Sequence, residues 1–366
     1  MRQTSIHPRA ERPGHLCCSC AYHLPTTTCS MNDSIVITGI GILSPLGIGA
    51  EETAAAWREA ETALQPCTRF ALPPGLPSLC GEVPEFRIED FQVSPKAYLD
   101  RNSELLLAAT GMALHNAGLD TARLTPERTG ILVGTAWAGQ DTMTAFFADY
   151  VQKGARLVKP FLFPHAYFNT AISLAAMEWS FRGVHQAFAS GRIASGQAII
   201  AACDLLADHE ADVILAGGCE ALSPVLFHVL AAHGIPPGEA GVMLVLERQS
   251  HAKTRGAKVL ATLCGTGVAH SANEATRQAL QQAGMLTNDL ALVVASNPDA
   301  ETLAHTPLSA TLDTCHCLAP STLCGDTQGA CTALGLALAV LHSAGPTLVL
   351  TTDAAGKAVA MVVQRR

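Results

Sequence analysis

Long hydrophobic runs, aromatic residues and charged residues are all scarce in this sequence of 366 residues. The apolar runs are broken by glycine, proline or charge within about ten residues, short of the roughly 20 that a membrane-spanning helix needs. Aromatic residues make up 5% and charged residues 15%, whereas 49% are hydrophobic. Such a chain can bury a sizeable core, which excludes disorder throughout its length.

Clustered positive charge is also missing. The formal net charge is -8, and no run of lysine or arginine stands out. This balance argues against a nucleic-acid partner. The first 30 residues carry no apolar segment of the kind found in signal peptides, so we expect a cytoplasmic protein without a membrane span.

The 13 cysteines are scattered along the chain. Cys17 and Cys20 form a Cys-x-x-Cys motif near the start, but a second pair at zinc-ligand spacing is missing. We therefore expect no metal site and no cofactor. Cys67 and Cys80 fall in a proline-rich stretch interpreted as loop, and most of the remaining cysteines are expected to pack as small buried apolar residues.

The chain is predicted to contain a duplicated α/β unit. Residues 1–30 are interpreted as a disordered leader, followed by an N-terminal half over 31–252 and a C-terminal half over 253–366. The order helix, strand, turn, strand occurs in both halves, which exceeds the alternation that any α/β chain shows. The predicted helices of this unit cover 189–207 and 327–343, and its strands cover 211–218, 242–247, 346–351 and 358–363.

Several segments, taken in order, resemble the β-ketoacyl-acyl-carrier-protein synthase family. The opening strand VITGIGILSPLG spans Val36–Gly47, ADVILAGGCEA spans Ala211–Ala221, and GEAGVMLVLE spans Gly238–Glu247. GDTQGA at Gly325–Ala330 closes the series. The resemblance runs from about residue 34 to 363 and implies a thiolase-like, duplicated five-layer αβαβα fold that forms an obligate dimer.

The same resemblance implies that the reactive residues of condensing members are missing here. Those members use a cysteine nucleophile at a helix N-terminus, two histidines and a lysine. In this sequence Phe188 takes the cysteine position, Ser296 and Asp326 take the histidine positions, and Ser321 falls near the lysine. Ala354 stands at the position of a gating phenylalanine. None of these side chains is expected to act in condensation, and no catalytic residue is assigned.

The family also contains inactive chain-length-factor subunits, which pair with an active ketosynthase and shape its acyl tunnel. The resemblance therefore implies a non-catalytic subunit of such a heterodimer in type II polyketide, aryl-polyene or fatty-acid-like synthesis. An acyl carrier protein would be met through the complex. Met143, Phe147 and Tyr150 share one face of the predicted helix 140–153 and are candidates, with Phe188 and Ala354, for the tunnel or interface. Ordinary core or dimer packing would give the same spacing.

Two alternatives stay open from the sequence. The chain could be a homodimeric pseudoenzyme that binds an acyl carrier protein or an acyl ligand by itself. It could also be an acyltransferase or hydrolase that uses Ser190, Ser296 or Cys331, although no base is paired with these residues in the sequence. Five basic residues are candidates, by charge alone, for docking an acidic carrier protein: Arg182, Arg192, Lys253, Arg255 and Lys258.

Overall fold

The computed structural model describes residues 33–72, 74–91, 93–296, 306–310 and 316–366. Its strands are β1 (Ile35–Ser44), β2 (Gly47–Ile48), β3 (Leu64–Pro66), β4 (Leu79–Gly81), β5 (Thr129–Gly134), β6 (His185–Phe188), β7 (Val213–Glu220), β8 (Ala240–Arg248), β9 (Ala261–Ala269), β10 (Leu292–Ala295), β11 (His316–Leu318), β12 (Thr347–Thr352) and β13 (Ala358–Arg365). Its helices are α1 (Ala50–Glu59), α2 (Arg101–Asn116), α3 (Gln140–Lys153), α4 (Thr170–Trp179), α5 (Ala194–Ala207), α6 (Pro224–Ala231), α7 (Gln249–Thr254), α8 (Ala272–Ala283), α9 (Pro320–Cys324) and α10 (Cys331–His342).

The main sheet consists of two half-sheets with the same strand order. One half runs β1-β8-β7-β5-β6, and the other runs β9-β13-β12-β10-β11. In each half the first two pairings are antiparallel and the last two are parallel. The halves join where β1 pairs with β9 through Val36 and Ile37. The duplication inferred from the sequence is therefore present in the topology.

Helices cover and separate the half-sheets to give the five layers of a thiolase-like fold. Helices α5 and α10 lie in the central apolar cluster with inward-facing residues of both halves. Helices α2 and α4 form a second cluster with the N-terminal half, and α8 forms a third with the C-terminal half. Ten consecutive residues of α10, from Cys331 to Val340, are buried, as expected for a helix between two sheets.

Close helix–strand contact depends on small residues. A Cβ atom at Gly41 of β1 would come within 1.8 Å of the Ala109 carbonyl oxygen of α2. Side-chain caps fix the starts of the outer helices, because Asp100 accepts a hydrogen bond from the Ser103 N–H of α2, and Ser271 accepts one from the Glu274 N–H of α8. The small residues and the helix caps together fix the position of the outer helices against the sheet.

Most predicted elements are close to the observed ones, with two informative differences. The helix predicted over 189–207 begins only at Ala194, because Gly191 has a φ of +64° and residues Gly191–Ile193 form a 3₁₀ turn. The proline-rich stretch predicted as loop, residues 67–95, contains β4, which forms a hairpin with β3 just before that stretch. The predicted boundary between residues 252 and 253 lies inside α7, and the leader at 1–30 lies outside the described residues.

Among the described residues, no helix combines the length and the apolar character needed to cross a bilayer.

Candidate functional site

The N-terminal ends of the two central helices meet at the candidate site. Residues 188–193 lead from β6 into α5, and residues 325–330 lead from α9 into α10. Packing between them is tight, since a Cβ atom at Gly218 of β7 would lie 2.6 Å from the Ser195 Cβ and 2.8 Å from the Gly329 carbonyl oxygen. Helix N-termini present free N–H groups, so this junction is where the fold can bind negative charge.

A buried ion pair occupies this junction. Arg192 Nε donates to Asp326 Oδ2 at 2.7 Å, and a second guanidinium nitrogen also contacts that oxygen. Asp326 is only 4% exposed. Burial alone would lower the pKa of Arg192, but the Asp326 carboxylate outweighs burial and the net pKa is raised. The guanidinium is therefore fully charged and neutralises the carboxylate at neutral pH.

Asp326 is also held through its backbone and its other carboxylate oxygen. Its N–H donates to the Pro236 carbonyl at 2.8 Å, and its carbonyl accepts from the Gly238 N–H at 3.0 Å. Oδ1 accepts from the Gln328 N–H at 2.9 Å. Gln328 has a φ of +44°, a left-handed conformation that is uncommon outside glycine. The fixed loop leaves Asp326 little freedom to change partner.

Four residues stand where the resemblance places reactive groups in condensing members, and three of them line one cavity. Ser296, Ser321 and Asp326 face a pocket of about 430 Å³, a size typical of small-molecule pockets. The remaining lining residues are Leu64, Arg192, Gly234, Ile235, Pro236 and Thr322. Among the described residues, the lining contains one ion pair and three hydroxyl groups but no histidine, lysine or cysteine.

Phe188 does not line that cavity. It ends β6, pairs with Gly134 of β5, and its carbonyl accepts a hydrogen bond from the Thr135 N–H at 3.0 Å. Its half-buried ring packs against the central apolar cluster. Ala354 lies exposed in the turn between β12 and β13, away from any buried contact.

Glu220 shapes the site without having been singled out from the sequence. It ends β7, is fully buried, and accepts hydrogen bonds from the N–H groups of Ala136, Trp137 and Gly329 at 2.6, 3.0 and 3.1 Å. Burial raises its pKa to about 7, against the lowering effect of these donors. The carboxyl group thus fastens the loop after β5 to the loop before α10. From the sequence, only its position at the end of a buried strand could have indicated that Glu220 belongs to the site.

The hydroxyl and thiol candidates for a different nucleophile are poorly activated. Burial raises the pKa of the Cys331 thiol well above its usual value, and the Asp326 carboxylate adds to the effect. Ser190 Oγ donates to the Gln197 side-chain oxygen, and Ser296 Oγ lies 3.5 Å from the Leu350 carbonyl oxygen. Cys331 Sγ lies 3.5 Å from Asp326 Oδ1, but that carboxylate is already paired with Arg192 and helps to raise the pKa of the thiol. Neither serine is paired with a base in the described part of the chain, which nucleophilic catalysis requires.

Two of the five residues expected at a tunnel or interface, Phe147 and Tyr150, lie on an exposed apolar surface. Phe147 and Tyr150 of α3 are 54% and 50% exposed, so they are not core residues, while Met143 is half-buried. Phe146 links α3 to Phe163, whose ring lies 4.9 Å from that of Tyr167. We call the exposed set the apolar surface, and its members are Phe147, Tyr150, Val151, Leu157, Phe161, Phe163, Tyr167, Phe168 and Met177.

The basic residues considered for docking divide into two groups. The Arg192 side chain is committed to Asp326, and that of Arg255 to Glu247, so neither is a free surface charge. Arg182, Lys253 and Lys258 are exposed. Selecting residues by charge alone therefore gave too many candidates for docking, because the sequence does not show which arginines pair with buried acidic residues.

The architecture agrees with comparisons against known proteins. The family model for the beta-ketoacyl synthase N-terminal domain matches residues 32–236, more than half of the chain. The chain belongs to the beta-ketoacyl synthase family. It is 26% identical over 283 residues to 3-oxoacyl-[acyl-carrier-protein] synthase 2 of Staphylococcus aureus strain COL, a match that covers 70% of this chain and 67% of that protein.

Solved beta-ketoacyl synthase structures share the fold at low sequence identity. The ishigamide ketosynthase/chain length factor has a TM-score of 0.82 at 21% identity, covering 91% of this chain and 99% of that chain. The ketosynthase ApeO in complex with its chain length factor ApeC, from Xenorhabdus doucetiae, has a TM-score of 0.73 at 17% identity, covering 91% and 98%. The thiolase-like fold of this family member is thereby confirmed.

Proposed function

We propose that this beta-ketoacyl synthase family member is a non-catalytic, chain-length-factor-like subunit. It pairs with an active ketosynthase, contributes to the wall of the acyl tunnel, and meets an acyl carrier protein through the complex. The observation that carries the proposal is the Arg192–Asp326 ion pair, which occupies the junction where a condensing enzyme would need a nucleophile and uncharged bases.

The chemistry of the cavity supports a loss of condensing activity. Decarboxylation generates an enolate that needs a free hydrogen-bond donor, and the Arg192 guanidinium is already paired with the Asp326 carboxylate. Ser296 cannot act as a base near neutral pH. Phe188 offers no nucleophilic atom. The clean capping and packing of the scaffold argue that the fold is used for binding.

The surface supports a protein partner. The apolar surface contains nine large exposed side chains, and such patches mark interaction sites. Strand β6 is the edge of its half-sheet and contacts α4, which carries Met177 of that surface. An open edge has unpaired N–H and C=O groups that a partner strand can bond. A partner with the same fold would cover both features.

The two alternatives receive less support. The acyltransferase needs an activated nucleophile, and the raised pKa of Cys331 together with the partners of Ser190 and Ser296 disfavours one. A homodimeric pseudoenzyme would use the same apolar surface. It is therefore distinguished from the heterodimer by which protein covers that surface.

The experiment is co-purification of the tagged full chain from its own host, with stoichiometry read by mass spectrometry. A one-to-one partner with an intact cysteine and two histidines is the expected result. Val151→Asp places a charge in the apolar surface, at a side chain that is 80% exposed, and is expected to release the partner.

Leu286→Asp is the matched control, because Leu286 is 74% exposed and lies beyond α8, outside the apolar surface. It is expected to retain the partner. Recovery of this chain alone as a stable self-dimer that Val151→Asp disrupts would replace the heterodimer with the homodimeric pseudoenzyme. Equal partner recovery with both variants would remove the apolar surface from the proposal.

A further inference from the structure

A short hairpin next to the candidate site brings together two thiols and a carboxyl group. Strands β3 and β4 pair antiparallel, with Cys80 opposite Gln65. The sulfur atoms of Cys67 and Cys80 and a carboxylate oxygen of Glu82 all lie within 4.8 Å of one another. Cys80 is fully buried, and Cys67 and Glu82 are half-buried. This cluster was not expected from the sequence, where both cysteines fell in a predicted loop.

The strand register disfavours a disulfide as the purpose of the two cysteines. Cys67 pairs with Ser78 through its N–H, at 2.9 Å, whereas Cys80 lies opposite Gln65. The two cysteines are therefore diagonal neighbours, which in antiparallel pairs lie roughly 7–8 Å apart. Disulfides need Cα atoms about 4.4–6.8 Å apart, so a bond would require backbone movement.

The spacing suits a shared cation instead. Zn–S bonds of about 2.3 Å and Zn–O bonds of about 2.0–2.2 Å place tetrahedral ligand atoms somewhat less than 4 Å from each other. Cys80 Sγ lies 3.9 Å from Glu82 Oε1, so a modest contraction would bring the ligands to bonding distance. Zinc accepts both thiolate sulfur and carboxylate oxygen as ligands, and the two thiols favour it over Mg²⁺ or Ca²⁺.

The surroundings hold Glu82 in place and leave its charge without a cationic partner. Thr68 donates to it through both its N–H, at 2.8 Å, and its hydroxyl, at 2.6 Å, and the Arg69 N–H donates at 3.1 Å. The Arg69 guanidinium lies instead 3.7 Å from Glu239. Within the described chain no lysine or arginine side chain pairs with Glu82. Burial alone would raise the pKa of Glu82, but these donors outweigh it and the net pKa is lowered.

We propose that Cys67, Cys80 and Glu82 bind one divalent cation of the zinc class, with a fourth position open to water. This site is separate from the proposed subunit function and would be present whether or not a ketosynthase partner binds. The hairpin carries Leu64, which lines the cavity, and the Gly81 N–H donates to the Pro237 carbonyl at 2.9 Å. A bound cation would therefore stiffen one wall of that cavity.

Binding must release protons. A cysteine thiol without a bound metal carries its proton at neutral pH, because its ordinary pKa is about 8.5. Each metal–sulfur bond forms as an S–H bond breaks, and the proton passes to the buffer. Two thiols and one divalent cation therefore give two protons and a bis-thiolate site with no redox change. Affinity is expected to rise with pH.

The test is titration of the full reduced chain with Co²⁺, followed by displacement with Zn²⁺. Thiolate-to-Co²⁺ charge transfer reports sulfur ligation directly. We expect one such site, displaced by Zn²⁺, that is lost in Cys67→Ser and in Cys80→Ser. Glu82→Gln should weaken it by more than about tenfold, since even indirect partners of metal ligands are worth roughly 10–100-fold in affinity.

Two controls keep the test decisive. Cys264→Ser removes a half-buried thiol outside the cluster and should leave the charge-transfer band unchanged. A Cys17→Ser, Cys20→Ser double variant removes the Cys-x-x-Cys motif and should also leave this site intact. If Cys80→Ser does not fold, Cys67→Ser and Glu82→Gln carry the test. A band that survives Cys67→Ser, or that only the Cys17/Cys20 variant abolishes, would overturn the proposal.

Discussion

Arg192 and Asp326 lie 134 positions apart in the chain, yet the guanidinium and the carboxylate form a buried pair where the two central helices begin. Each residue comes from a different half of the duplicated fold. The pair therefore ties the halves together at the point where a condensing enzyme would need reactive groups. We expect its role in this chain to be structural and electrostatic.

Removing one member of this pair is expected to destabilise the fold. Asp326→Ala leaves a largely buried guanidinium without a partner. Such a change costs about 3–5 kcal/mol for a fully buried pair, and the 15% exposure of the Arg192 side chain puts the expected cost at the lower end of that range. Combining Arg192→Met with Asp326→Leu should recover most of that loss, because no buried charge remains. Urea unfolding of each variant measures the effect.

The comparison for that experiment is Arg182→Ala, which breaks a solvent-exposed pair with Glu127. Exposed pairs contribute about 0–1 kcal/mol, so this change should be small. A small effect of Asp326→Ala, similar to that of Arg182→Ala, would contradict the structural role of the buried pair.

Glu220 predicts a pH dependence of stability. Its pKa of about 7 lies above the ordinary value of 4.5, so between these values the native state keeps a proton that the unfolded state loses. The stability from this group is full below pH 4.5 and is lost as the pH rises through about 7. The change is at most about 3 kcal/mol, at about 1.4 kcal/mol per pKa unit.

Glu220→Gln isolates that dependence. The amide cannot accept all of the backbone hydrogen bonds, so the variant should be less stable at every pH. The gap between parent and variant should be widest at and below about pH 4.5 and should narrow as the pH rises through about 7. Glu127→Gln, at an exposed carboxyl group, should show no such trend. A constant gap for Glu220→Gln would contradict the raised pKa.

Phe147→Ala should lengthen the product made by the complex with the partner ketosynthase. The ring is more than half exposed in the single chain, and in the proposed heterodimer it would limit the depth of the tunnel. Product length is measured by mass spectrometry. Phe161→Ala removes another ring of the apolar surface, outside α3, and should leave product length unchanged. An unchanged product from an intact Phe147→Ala complex would count against a tunnel role for this helix face.

Phe188→Cys should not restore condensation by this chain alone. The new thiol would stand at the end of β6, but Ser296 and Asp326 still could not perform the steps that histidines perform in active members. Carbon–carbon bond formation with a malonyl carrier protein is the assay, and acylation of the thiol is read separately. Condensation by this single variant would refute the assignment of the missing histidines.

The fold could be predicted from sequence largely because its signals are local. Helix α3 is observed over the predicted 140–153, and β13 begins at the predicted Ala358, because glycine stops and continuous apolar runs mark such elements directly. The hairpin of β3 and β4 was missed because three-residue strands next to proline carry no periodic signal. The late start of α5 depends on the backbone of Gly191, which sequence pattern does not reveal.

Sequence placed only part of the site. Ser296, Ser321 and Asp326 line one cavity, whereas Phe188 and Ala354 lie elsewhere. The partner of Asp326 was not foreseen, because Arg192 lies far away in sequence and was interpreted as surface charge. Glu220 was overlooked for a similar reason, since its partners are backbone N–H groups that any sequence possesses.

The hydrogen bonds of Glu220 affect which sequence changes such a protein can accept during evolution. Its carboxyl group grips main-chain N–H groups at Ala136, Trp137 and Gly329, and so makes no demand on the identity of the side chains at the first two positions. The loops around the cavity therefore keep their shape while the residues they display are replaced. After a gene duplication, the encoded protein can therefore lose its reactive side chains one at a time while the backbone around the cavity stays the same.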